Sequence, residues 1–259
     1  VSSVWSRPAP QRRPALTREA IVAAAVSIAD AEGLGAVSIR RVAAELGARA
    51  MSLYTYIERK EDLLALMLDE VAGELLAAEP QPGERQSEEG QPGEGRADDG
   101  QPGEGQPGER PPGGWREALL LTAGRERDLV RRHPWRVELI SQRVAVGPNG
   151  LRHVERKLSA LDGLGVDRLG AWRILAAVDD YVTGFVVREA AERAAPRREG
   201  VNDAERAAMA EPYIRDLVAS GEFPRLAPML EQGVRGADDN FERGLRWVLD
   251  GIEGDLPGR

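Results

Sequence analysis

The chain of 259 residues has no cysteine, only two histidines and two lysines, and aromatic side chains make up 5% of it. Without cysteine there are no disulfides and no thiolate metal sites. His133 and His153 are too few for a cage of several histidines, so neither a metal nor a cofactor is expected. No run approaches the roughly 20 apolar residues that span a bilayer. Residues 1–15 lack the apolar core of a signal peptide, and a soluble, cytoplasmic protein without a membrane partner is expected. There is no Gly-rich phosphate loop, no nucleophile elbow and no His-Glu metal motif, which argues against an enzyme. What is present is 42% hydrophobic residues in a length sufficient for two small helical domains.

The net charge of -8 is unevenly distributed. Residues 1–60 hold nine Arg/Lys against five Asp/Glu, whereas residues 61–79 hold six acids and no base. Residues 80–113 are a different kind of polymer, with Gln-Pro-Gly-Glu beginning at Gln81, Gln91, Gln101 and Gln106, three Arg and eight Asp/Glu. So few aliphatic side chains cannot offset the cost of ordering the backbone, and a disordered insert is expected there. A basic N-terminal surface on an acidic chain is the pattern of a local electrostatic footprint.

Residues 38–60 read as a helix-turn-helix. Ile39, Val42, Ala43 and Leu46 share one helical face, Ala43 is small enough to be crossed closely, Gly47 supplies a turn, and Leu53 returns a second helix onto the first. Upstream, Thr17 is a good N-cap for a helix carrying Ile21, Ala24, Ala25, Ile28 and Ala29, stopped by Gly33. Downstream, Glu61 and Asp62 open a helix striped with Leu63, Leu64, Met67, Leu68, Val71 and Leu75. Such a motif places its second helix in a DNA major groove.

The run from Thr17 to Leu64, above all Leu53-Tyr54-Thr55-Tyr56-Ile57-Glu58-Arg59-Lys60-Glu61-Asp62-Leu63-Leu64, resembles the DNA-binding domain of the TetR family of transcriptional regulators. Asp180-Tyr181-Val182-Thr183-Gly184-Phe185 and Phe241-Glu242-Arg243-Gly244-Leu245 resemble its tetracycline-repressor type of ligand-binding domain. The resemblance implies an all-α protein: a disordered arm over 1–14, a helix-turn-helix domain over 15–61, and a ligand-binding and dimerisation domain over 62–259, interrupted at 80–113. It also implies a homodimeric repressor released from a palindromic operator by a small-molecule effector. The alternative is a helical enzyme or adaptor on the same fold. By residue, Ser38 and Arg40 match positions that touch phosphate and an adjacent base. Ala50, Met51, Ser52, Tyr54, Thr55 and Tyr56 match the groove- or phosphate-facing set, and Lys60 matches a phosphate contact. Tyr56 stands where relatives most often carry histidine, and a core role for it stays open.

After Gly114 helices are expected over 115–132, 134–144, 149–164, 167–194, 203–220 and 237–252, between Pro, Gly and Asn signals. The fourth and last of these are apolar around much of their circumference, and the resemblance implies that they pair with a second subunit, through Phe185, Phe241, Leu245 and Val248. Simple core packing is the other reading. His133, Trp135, Trp172, Asp179, Tyr181, Thr183 and Arg188 are polar or aromatic candidates for an effector pocket between helices. Each also has a structural reading, Trp135 as core, His133 as a helix C-terminal cation and Arg188 as a solvated charge.

Overall fold

The computed structural model describes residues 16–77, 114–140, 146–199, 203–231 and 240–256. The N-terminal arm and the Gln-Pro-Gly-Glu segment expected from composition lie outside them. Among the described residues there are eleven α-helices and no strand. They are α1 Arg18–Glu32, α2 Ile39–Glu45, α3 Ala50–Leu53, α4 Lys60–Ala77, α5 Gly114–Arg132, α6 Arg136–Ile140, α7 Pro148–Ser159, α8 Arg168–Glu199, α9 Asp203–Ala219, α10 Ala227–Glu231 and α11 Phe241–Gly254. None is long and apolar enough to cross a membrane.

Local chemistry sets the first boundaries. Thr17 Oγ1 accepts from the Ala20 amide at 3.1 Å and starts α1, and the Gly33 amide donates to Ala29 at 2.9 Å and closes it. Ser38 Oγ caps α2 in the same way, accepting from the Arg41 amide at 3.1 Å. Gly47 has φ 62°, the left-handed conformation that an L side chain rarely adopts, and it turns the chain from α2 into α3. The α7 terminus is capped from a distance: Asp69 on α4 accepts from the amides of Asn149 and Gly150 at 2.8 and 3.1 Å. That pairing clamps α7 across α4.

Two cores result. The first joins Ile21, Ile28, Val42, Leu53, Ile57, Leu63 and Met67 from α1–α4 and their connections, and it continues into Leu129 of α5, Leu139 of α6 and Trp135 of the turn between them. The second is built by α5, α8 and α11, with Leu119, Ile174, Val178, Val182, Phe241, Leu245 and Leu249. Helices α8 and α11 approach so closely that a Cβ on Gly244 would collide with the Tyr181 hydroxyl, which donates to the Phe241 carbonyl at 2.9 Å. Arg127 fills the same core: it bonds Glu189 through Nε and Nη2 at 3.1 and 2.7 Å, and its guanidinium carbon lies 4.9 and 4.7 Å from the ring centres of Phe185 and Phe241.

A polar joint seals the N-terminal core against α5 and α6. Asp30 Oδ1, near the end of α1, lies 2.7 Å from His133 Nδ1 and accepts from Trp135 Nε1 at 2.7 Å. The other ring nitrogen of His133 lies 3.0 Å from Glu74 Oε1 on α4, and Arg132 donates to Glu74 Oε2 at 2.7 Å. Burial raises the Glu74 carboxyl, but the Arg132 and His133 hydrogen bonds outweigh it and leave it below the usual range. His133 and Trp135 are both buried, so Asp30→Ala leaves an indole N–H without an acceptor in the interior. The expected cost is roughly 1–3 kcal/mol, read from urea unfolding. A loss below about 0.5 kcal/mol, the range of ordinary surface substitutions, would show that the joint contributes little.

Buried carboxylates also set the acid limit. Burial alone would raise Glu189, yet hydrogen bonds from Arg127 and Arg131 hold it at about 2, and His153 and Lys157 do the same for Glu126, which stands at about 2. A carboxyl depressed in the folded state stabilises the protein above its unfolded pKa, and that contribution disappears as the pH falls through the folded value. Stability should therefore fall from about pH 4.5 toward pH 2. Glu189→Gln should cost about 2 kcal/mol at neutral pH and converge on wild type at the acid end of the titration. Parallel curves at all pH values would contradict this assignment.

Candidate nucleic-acid interface

The α2-turn-α3 unit buries one face and presents the other. Ile39, Val42, Ala43, Leu53 and Ile57 are buried and anchor it. Ser38, Arg40, Met51, Ser52, Tyr54, Thr55, Tyr56 and Lys60 are all exposed, and Ala50 is half-buried. Thus eight of the nine residues expected to meet DNA lie on open surface around the buried anchors. Tyr56 is 41% exposed, which disfavours a core role, and Met51 is 77% exposed at the start of α3. Lys60 is the first residue of α4.

Electrostatics divides the cations of this region into two classes. Arg41 is tied to Glu45 at 2.6 Å and Glu32 at 2.8 Å, and Arg59 to Asp62 at 3.1 Å. Arg40, Arg49 and Lys60 are exposed and form no ion pair among the described residues. Arg49 was not among the residues expected from sequence. It occupies the N-cap position of α3 without a side-chain cap bond, and its only advance signal was its place immediately before the recognition helix. The Ser38 hydroxyl spends its oxygen lone pair on the Arg41 amide and keeps a proton to donate. By contrast, the open groove between α1 and α4 is lined by Asp30, Glu70 and Glu74 and disfavours phosphate.

The seven effector candidates are dispersed. His133 and Trp135 serve the Asp30 joint. The Tyr181 hydroxyl is spent on the Phe241 carbonyl, and Arg188 lies 3.8 Å from Glu192 and over the Phe185 ring. Trp172 is 54% exposed on the outside of α8, and Thr183 is half-buried on the same helix. Asp179 accepts from Lys157 at 2.7 Å within a charged seam, where Lys157 also meets Glu126 at 2.8 Å and His153 Nε2 lies 2.6 Å from the same oxygen. Burial raises Asp179, and the Lys157 charge only partly offsets it.

The interface expectation needs correction. Phe241 and Leu245 are 2% and 0% exposed and are enclosed in the core of their own subunit, with Phe185 packed against them, so an amphipathic stripe there faces α5 and α8. Val248 is half-buried. The uncovered apolar groups on these helices are instead Leu169, Trp172 and Val187 on α8 and Trp247 on α11, the last 62% exposed.

Known proteins share this arrangement. Residues 106–256 match the family model described as the tetracyclin repressor-like, C-terminal domain. The HTH-type transcriptional repressor DrrR1 of Streptomyces coeruleorubidus is 36% identical over 95% of this chain and 81% of its own length. An HTH-type transcriptional regulator of Saccharopolyspora erythraea is 30% identical over 96% of this chain and 91% of its own. Among solved structures, the Streptomyces coelicolor TetR family protein ActR in complex with actinorhodin superposes with a TM-score of 0.68 at 27% identity, covering 95% of this chain and all of that one. An all-α fold with a helix-turn-helix at one end, relatives named as repressors and a C-terminal family match over more than half the chain lead to one conclusion: the protein belongs to the TetR family of DNA-binding transcriptional regulators.

Proposed function

We propose that the protein is a homodimeric repressor that binds the two half-sites of a palindromic operator and is released by a small-molecule effector. The observation that carries the DNA reading is the open α3 face, flanked by Arg40, Arg49 and Lys60, which form no ion pair among the described residues. Arg40 is suited to a guanine edge, the Tyr54 hydroxyl to a phosphate, and Met51 to a thymine methyl. Repression takes place where the chromosome is, in the cytoplasm.

Two half-sites require two recognition helices about 34–36 Å apart, hence a second copy of the chain. On α8, Leu169, Trp172, Ala176, Asp180, Thr183 and Val187 fall on one helical face, and Trp247 leaves a second apolar group on α11. Large apolar groups left uncovered on two helices that pack against each other support a helix-to-helix dimer there. The effector acts by binding one of two arrangements better than the other. The joint from Asp30 to His133 and Trp135 gives it a lever, since a shift of α5 and α6 is a shift of α1 and of the helices stacked on it. ActR, solved with actinorhodin bound, supports a small organic molecule as the releasing agent. Asp179, held beside Lys157 yet with its side chain 39% exposed, is the sequence candidate best placed to meet it.

Lys60→Ala should weaken binding to every DNA sequence about equally and lower the salt slope of log K by about one, as removal of one phosphate contact requires. Gel shifts on operator and scrambled duplexes across a salt series test this, and a loss confined to one sequence would refute the phosphate role. For the dimer, Trp172→Asp combined with Trp247→Asp should give a folded monomer by sedimentation equilibrium, with operator binding lost in parallel, because the second half-site no longer binds at high effective concentration. A double variant that stays dimeric places the interface elsewhere.

A further inference from the structure

Of the 35 basic side chains, Lys60 and Lys157 alone are lysines. They differ from the rest in chemistry as well as shape, because a primary amine accepts an acyl group where a permanently charged guanidinium does not. The fold treats the two oppositely. Lys157 on α7 is 6% exposed, and its Nζ is enclosed by Glu126 Oε1 at 2.8 Å and Asp179 Oδ1 at 2.7 Å. Burial alone would lower this ammonium, but the two carboxylates outweigh it and hold the group above its usual range. A protonated nitrogen has no lone pair with which to attack, and a side chain so enclosed gives a bulky electrophile no approach.

Lys60 is exposed at the first position of α4 and forms no ion pair among the described residues. Its helix offers it no carboxylate one turn on, since the residues three and four positions ahead are the buried Leu63 and Leu64. Asp62 is engaged by the amide and the guanidinium of Arg59, at 3.0 and 3.1 Å. The amine thus stands in solvent beside the open α3 face. An arginine there would serve a phosphate at least as well, with a forked head that keeps its charge. What lysine adds at this place is a charge that a covalent step can remove.

We propose that Lys60 is a regulatory acylation site, at which a small acyl thioester transfers its acyl group to Nζ and thereby switches off a DNA contact, while the fold shields Lys157 from the same reagent. The proposal rests on the reading of Lys60 as a phosphate contact and adds a means of controlling it. The ammonium first gives a proton to solvent. The amine then attacks the thioester carbonyl, the N–C bond forms as the C–S bond breaks, and the thiol leaves with the bonding pair and a second proton from nitrogen. Nothing is oxidised or reduced. A cation becomes a neutral amide, which releases no counterion from DNA and repels none of its neighbours. Because no other lysine is accessible, a single modification changes the DNA-binding face and leaves the other charges of the protein as they were.

The experiment treats the full chain with acetyl coenzyme A at mildly alkaline pH and maps the acetyl groups by peptide mass spectrometry, in native buffer and in urea. Lys60 should be modified in both, and Lys157 in urea alone. Excess duplex DNA at low salt should slow the reaction at Lys60. In gel shifts the acetylated protein should lose about tenfold in affinity, the worth of one charge-assisted hydrogen bond, and should match Lys60→Ala in salt slope. Lys60→Arg keeps the charge without the amine and should bind DNA identically before and after treatment, which also controls for reaction at the α-amine of the chain. Protein purified from its own cells should carry an acyl group on Lys60 in a fraction of the molecules. The proposal is overturned if folded Lys60 reacts no faster than Lys157, if acetylation leaves binding unchanged, or if the cellular protein is unmodified in every growth phase. In each of those cases a weakened Lys60→Ala leaves the phosphate contact standing. If Lys60→Ala also binds like wild type, the phosphate contact falls and the acylation switch with it.

Discussion

The carboxylate of Asp30 holds the two ends of the molecule in one frame. A single oxygen receives the Trp135 indole and contacts the His133 ring, and both of those residues belong to the turn between α5 and α6, more than a hundred positions along the chain. Without it, α1 would rest on α4 and the α5–α6 turn through apolar contact alone, which is non-directional and tolerates sliding. Hydrogen bonds to one oxygen do not tolerate sliding, because they are directional and weaken steeply as the geometry is lost. The core beside Asp30 supplies the adhesion, and the carboxylate supplies the register.

Charge is managed by the same economy throughout. An acidic protein that approaches DNA must keep its carboxylates from neutralising the cations it needs. Here Glu32, Glu45 and Asp62 are matched to Arg41 and Arg59, leaving Arg40, Arg49 and Lys60 uncommitted. Two acidic groups of α4 are likewise occupied, Asp69 by the α7 terminus and Glu74 by Arg132 and His133. Sequence totals hide this, since -8 sums paired and unpaired groups alike.

Much of the architecture was legible because it is local. Thr17, Gly33, Ser38 and Gly47 each act on backbone within four residues of themselves, and the apolar stripe of α4 repeats at the helical period. The exposed face of the helix-turn-helix was legible for a related reason: once Leu53 and Ile57 are assigned inward, the positions between them have nowhere to go but out. What was not legible is what depends on distant partners. Nothing near Asp30 announces His133. The stripes of α8 and α11 show that both helices bury a face without showing against what, and Phe241 and Leu245 prove to face their own subunit.

The recognition helix is only four residues long, Ala50–Leu53. At about 1.5 Å of rise per residue it covers about 6 Å, less than two base-pair steps of duplex at about 3.4 Å each. In informational terms, a helix of that span by itself spells a word of about three letters, which random DNA repeats about once in 64 positions, and in the proposed dimer two such words at fixed spacing recur about once in 4,000. A chromosome offers many such accidental spellings. An address must then be completed by what the helix does not read, namely how readily the intervening duplex adopts the shape that lets both words be read at once.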